Sequence, residues 1–218
     1  MISGRKTRPD RLTCGSAALL ALSCSLFTLP ASAFELTELM SVLAQRPSGA
    51  AKFSEQRFVS GLDRPLRSSG TISFKAPDRL ARHTTAPRAE SFVVEGNQVT
   101  LERGGRTRQV SLSTVPELGA MVAAIRGTLT GNAAALRQYF QPEVSGSAAL
   151  WTLTLLPTDE RLQGVVRQLR LSGRQADLAS VEVQLADGDR SVMNIEALAS
   201  GEPAAGVAVP PKASASAP

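Results

Sequence analysis

The stretch SFVVEGNQVTLERGGRTRQVSL, residues 91–112, decides the fold of this chain. Three short runs, 91–95, 99–102 and 107–112, alternate apolar and polar side chains with a period of two. That is the pattern of strands with one dry and one wet face. Gly96-Asn97 and Gly104-Gly105 separate them. Turns this short suit tight hairpins and admit only antiparallel pairing, because parallel strands need long crossovers.

Working backward, the same period runs through 52–60, 67–74 and 79–84, punctuated by Gly61, Pro65, Pro77 and Pro87. Before them, Leu36, Leu39, Met40 and Leu43 fall at i, i+3, i+4 and i+7, an apolar stripe along one helical face. Pro47, Ser48 and Gly49 end that helix. Working forward, Pro116 opens a second helical stretch, striped by Leu118, Met121, Val122, Ile125 and Leu129. Gly127 and Gly131-Asn132 interrupt it, and a short helix over 133–139 follows. Strands then resume at 151–155, where Trp151, Leu153 and Leu155 alternate with Thr152 and Thr154. They continue with Val181, Val183 and Leu185, then Met193 and Ile195; the run 165–171 is a weaker strand, broken by Arg167. The order helix, strands, two helices, strands predicts an α+β domain. One antiparallel sheet, curved on itself with helices against its concave face, buries all these stripes together.

Both ends of the chain read differently. Arg5, Lys6, Arg8 and Arg11 precede an apolar run over 12–29, then Pro30 and Ala31-Ser32-Ala33. This is the three-part pattern of a cleaved export signal over 1–33, with the mature chain beginning at Phe34. The run is too interrupted by Thr13, Ser16, Ser23 and Thr28 for a spanning helix. Ala21-Leu22-Ser23 before Cys24 is an imperfect lipidation box. Residues 201–218 are Ala, Pro, Ser and Gly with almost no large side chains, a composition that predicts a disordered tail. Residues 34–200 then form the domain.

Export removes both cysteines, Cys14 and Cys24, so the mature chain has no disulfide and no thiolate ligand. The net charge of +5 falls to about +2 once the signal's four basic residues and Asp10 are gone. The remaining arginines, Arg103, Arg106 and Arg108 included, are spread along strands as a solvated face. That argues against a nucleic-acid partner.

No catalytic constellation appears. His83 is the only histidine, so no metal-histidine or Ser-His-Asp site can be assembled beyond it. Asp187-Gly188-Asp189 lacks the remaining ligands of a calcium loop and reads as a hairpin turn. Gly127 to Asn132 lacks a phosphate-loop Lys-Ser/Thr. The expectation is a binding protein, not an enzyme, with no cofactor and no metal. The surplus apolar faces leave two arrangements open: a solid core, or a cavity between sheet and helices that accepts an acyl chain.

Several segments resemble the periplasmic outer-membrane lipoprotein carrier family, LolA. Phe53-Ser54-Glu55-Gln56-Arg57-Phe58 is similar to its opening "F-x-Q" strand. Gly70-Thr71-Ile72-Ser73-Phe74-Lys75-Ala76-Pro77 resembles its "G-x-(L/I)-x-(F/W/L)-x-R-P" pattern. Val94-Glu95-Gly96-Asn97-Gln98-Val99 resembles its hairpin, and Trp151-Thr152-Leu153-Thr154-Leu155-Leu156-Pro157 its "(F/W)-x-L-x-P" strand. The resemblance implies an unclosed β-barrel whose mouth is plugged by lid helices, 114–126 and 133–139. It implies a monomeric periplasmic shuttle that takes acylated lipoproteins from an inner-membrane transporter to an outer-membrane receptor. The implied cavity lining is Phe58, Phe74, Phe92, Met121, Val122, Ile125, Trp151, Leu153, Leu155, Val183 and Met193.

The chain departs from the pattern at two places. In typical carriers an arginine before the proline holds the lid by hydrogen bonds to the helices; here that position is Ala76, and an aromatic soon after the proline is replaced by Arg82. The lid should therefore rest on apolar packing by Met121, Val122 and Ile125. The departures keep open a carrier or accessory for another lipidic molecule. A periplasmic half-barrel that binds or senses a protein partner is the alternative of a different class.

Overall fold

The structure, a computed structural model, describes residues 34–198. The export segment 1–33 and the tail 201–218 lie outside the described residues. The chain runs α1 (Leu36–Leu43), β1 (Ser48–Phe58), β2 (Leu66–Lys75), β3 (Arg79–Ala86), β4 (Glu90–Glu95), β5 (Gln98–Arg103) and β6 (Arg106–Ser111). A short 3-10 turn (Leu112–Thr114) leads into α2 (Pro116–Leu129) and α3 (Ala133–Arg137). Then come β7 (Phe140–Ser147), β8 (Leu150–Pro157), α4 (Glu160–Gln163), β9 (Val166–Arg174), β10 (Asp177–Leu185) and β11 (Arg190–Ala197).

All eleven strands form one antiparallel sheet in the order β6-β5-β4-β3-β2-β1-β11-β10-β9-β8-β7. The first and last strands meet in its middle. Strands β6 and β7 are its two unpaired edges, and the sheet does not close into a barrel. They are also consecutive in sequence. The segment between them, α2 and α3, must therefore travel from one edge to the other across a face of the sheet.

Register shows which face. Paired residues on neighbouring strands share a face. One row reads Val144, Leu153, Leu171, Val181, Met193, Glu55 and Ser68, across seven strands. A second reads Leu101, Phe92, Arg82, Ile72, Ala51 and Ala197. Both are mostly apolar and both face the helices. The ladder slips between Ser69 and Gly70, where a Cβ on Gly70 would stand 2.0 Å from the His83 carbonyl oxygen. Only glycine fits that approach, and an irregularity of this kind bends and twists a sheet.

Two solid cores sit at opposite ends of the concave face. Under β8 and β9, Leu39 and Leu43 of α1, Ala124 of α2 and Leu136 of α3 pack on Leu153, Leu169 and Leu171. Under β4 and β5, Val94, Val99, Leu112 and Val122 form the second. Asn132 caps α3 by accepting from the Ala135 N–H at 3.1 Å. The Asp187-Gly188-Asp189 turn is structural. Its buried Asp189 carboxylate accepts from the Ser60 N–H at 3.0 Å and so fastens the β1–β2 loop.

The structure adds elements that the periodicity does not reveal. Strand β7 carries Pro142 and Gly146, which break a strand pattern but are tolerated on an edge. Helix α4 spans one turn, too short to show a stripe. Strand β1 begins at Ser48, since Ser48 and Gly49 pair with Lys75 and Phe74 instead of only stopping α1.

Candidate functional site: a cavity beneath the crossing helix

Between the two cores the concave face is hollow. A cavity of about 540 Å³ lies between α2 and the middle strands, within the size range of small-ligand sites. It follows β1 from Gly49 to Glu55, about 20 Å of strand at the usual rise per residue. Its walls are largely apolar.

Seven of the residues singled out from sequence stand on this cavity: Phe74, Phe92, Met121, Val122, Ile125, Val183 and Met193. Four do not, and their placement is a correction. Trp151, Leu153 and Leu155 share the concave face but are 0 % exposed. They lie toward the β7 edge, where α1 and α3 cover the sheet and leave no hollow. The Trp151 indole packs on Gly173 and donates its N–H to the Gln175 carbonyl at 2.9 Å. Phe58 differs by parity: an even position on β1, it points away from the face that carries Phe53 and Glu55. It is 37 % exposed, with the Arg190 guanidinium 4.6 Å above its ring. Sequence reasoning missed Ile72, Leu80 and Ile195, which also line the cavity. Ile72 and Ile195 lie two residues from Phe74 and Met193, so extending the alternation by one step finds them.

Apolar packing alone is the expectation for the crossing helix, but a charged donor also ties it to the sheet. Ala76 has no side chain to reach the helices; its N–H donates to the Pro47 carbonyl at 2.8 Å. Instead Arg126 of α2 reaches out to the sheet. Its Nη1 donates to the Gly96 carbonyl at 2.7 Å, and its Nη2 donates to the Asp78 carbonyl. Both acceptors belong to turns, one before β3 and one between β4 and β5. Burial lowers the pKa of the guanidinium, against the Asp78 carboxylate, which raises it; an arginine stays cationic under such a shift. Closure therefore does not rest on Met121, Val122 and Ile125 alone.

Charged groups mark both ends of the cavity. At one, Arg46, just after α1, pairs with Asp177 at the start of β10. At the other, Arg82 pairs with Glu55 and stacks over the Phe53 ring at 4.7 Å. Among the described residues no group of three or more His, Cys, Asp or Glu could hold a metal, and no helix is long and apolar enough to cross a membrane. The arrangement is equipped to enclose an apolar ligand.

Comparison with known proteins identifies the family. A family model described as outer membrane lipoprotein carrier protein LolA-like matches residues 28–215. No curated protein matches the chain. Among solved structures, it is similar to a LolA superfamily protein from Nitrosomonas europaea at 10 % identity, covering 77 % of this chain and 95 % of that one, with a TM-score of 0.41. A DUF1329 family protein from Desulfovibrio piger matches at 9 % identity, over 74 % of this chain and 88 % of that one, with a TM-score of 0.45. A putative outer membrane lipoprotein-sorting protein domain from Vibrio parahaemolyticus matches at 8 % identity, over 75 % and 89 %, with a TM-score of 0.38. With the family model spanning nearly the whole half-barrel and its crossing helices, the chain belongs to the outer membrane lipoprotein carrier protein LolA-like family.

Proposed function

We propose that this chain is a periplasmic carrier that holds acyl chains in the cavity beneath α2 and moves them toward the outer membrane. The hollow, apolar middle of the concave face carries this reading. Each methylene moved from water into such walls contributes about 0.8 kcal/mol. Opening the lid offsets part of that gain, so cargo can be released again. The carrier acts as a monomer and performs no chemistry on its cargo. It receives the cargo from an inner-membrane transporter and passes it to an outer-membrane receptor.

The test fills the hollow. Ala51, near the start of β1, lines the cavity. Ala51→Phe should weaken binding of a fluorescent acylglycerol at least tenfold, while the urea midpoint stays within the spread of ordinary surface substitutions. A folded Ala51→Phe protein that binds the probe as wild type does would remove the cavity from consideration.

Export is tested separately. Protein recovered from the periplasm should begin at Phe34, or within a residue or two, on amino-terminal sequencing. A mature form that keeps Arg5 and Lys6 would contradict the cleavable signal.

A further inference from the structure

We infer that the polar end of the cavity selects esterified acyl chains over free fatty acids, and that Arg82 together with Glu55 makes the choice. This rests on the acyl-binding reading above and adds to it the chemical class of the ligand's head.

An arginine at the end of an apolar cavity invites a carboxylate. Here the invitation is already taken. The Arg82 Nη2 donates to Glu55 Oε2 and to the Ser68 hydroxyl, the latter at 3.1 Å. Ser68 donates in turn to Glu55 Oε2 at 3.0 Å, and the Ser191 hydroxyl donates to Glu55 Oε1. The guanidinium charge is thus neutralised inside the wall, and the carboxylate that neutralises it is held by three donors. The other charged residues on the cavity are also committed. Arg46 pairs with Asp177, and Glu90 pairs with Arg103 at 2.8 Å. Among the described residues, no lining cation is left without its anion.

A fatty-acid carboxylate entering this end would put a second anion beside Glu55 on a single guanidinium. Two carboxylates sharing one site repel strongly, and more so against apolar walls of low dielectric. An ester carbonyl brings an acceptor without a charge. Arg82 has donors to give it: both of its hydrogen bonds come from Nη2, and its side chain keeps 34 % of its surface exposed. Stacking on Phe53 fixes the plane of the guanidinium, so its direction is set before the ligand arrives.

The experiment measures, on the exported wild-type chain at pH 8, the affinities of monopalmitoylglycerol and of palmitate. The ester should bind at least tenfold more tightly. Equal affinities, or tighter palmitate binding, would overturn the selection while leaving the acyl cavity in place. Binding of neither overturns the acyl reading and this inference with it. Glu55→Gln removes the competing anion and leaves Arg82 uncompensated. It should raise palmitate affinity at least tenfold and draw the ester-to-palmitate ratio toward one; a ratio unchanged in the folded variant would also overturn the inference. The wild-type comparison decides the matter even where that variant fails to fold. A diacylated cysteine lipopeptide run beside the acylglycerol separates the two sources of an ester head. Tighter binding of the lipopeptide assigns the site to lipoproteins, and tighter binding of the glycerolipid to membrane lipids. Both outcomes support ester selection, and failure of both esters to out-bind palmitate counts against it.

Discussion

Trp151→Ala should lower the stability of the folded chain by about 3–5 kcal/mol, the usual range for removing a large aromatic from a close-packed core. The indole is 0 % exposed and belongs to the larger core. Gly173 has no room for a side chain beside it: a Cβ there would stand 2.1 Å from the Asp177 carbonyl oxygen and 2.4 Å from the indole Cζ2. Truncation leaves a cavity that the rigid β8–β9 ladder cannot close. It also leaves the Gln175 carbonyl without the indole N–H it now accepts from. Domains are stable by only about 5–15 kcal/mol, so the loss is a large share of the total. The urea midpoint should fall by roughly 1–2 M at ordinary denaturant slopes. Acylglycerol affinity per folded molecule should hardly change, because the hollow lies elsewhere. The opposite outcome, lost binding with an unchanged midpoint, would return Trp151 to the cavity wall.

Arg126→Met should release the lid. The methionine keeps an apolar stem of similar length for packing and deletes both donors. Hydrogen bonds from a charged donor contribute about 1.5–3 kcal/mol net. The freed Gly96 and Asp78 carbonyls sit in turns where water can reach them, so the loss falls on the closed state of the lid and not on the sheet. The opening equilibrium of α2 should rise by about ten- to a hundredfold. Amide exchange across 116–137 should accelerate accordingly, with protection in β8 and β9 unchanged, and the acylglycerol probe should bind faster. Identical exchange and identical on-rates would mean that Arg126 does not hold the lid.

The difference between these two residues shows what a sequence of this kind can tell. Alternation in 91–112 and in 151–155 identifies the strands and their dry face, because a period of two fixes which side chains share a side. It says nothing of what covers that face. Trp151 and Met193 alternate equally well, yet one lies under α1 and α3 and the other over the hollow. Only the path of the chain from β6 to β7 separates them. Strand β7 is hidden by Pro142 and Gly146, whose local preference contradicts a state imposed by pairing with β8. Arg126 left a weak trace. It is the only basic residue of α2, set directly after Ile125 in an otherwise mostly apolar helix. Its partners are backbone carbonyls of distant turns, which no side-chain pattern encodes. The polar cluster of Glu55, Ser68, Arg82 and Ser191 joins three consecutive strands to the last strand of the chain, so it too becomes visible only through register.

A sheet that never closes keeps two free rims, each a row of backbone groups ready to template another copy. On the proposed reading the concave face must stay open to take cargo, so the rims cannot be removed by sealing the barrel. This chain blunts them by composition. On β6 the residues from Arg106 to Gln109 are all exposed, and two of the four are arginines, so two such rims meeting would set like charges side by side. On β7 Pro142 offers no N–H to a newcomer, and Gly146, at φ 96°, turns the strand out of the extended path. The molecule can remain permanently ajar without growing into a fibre.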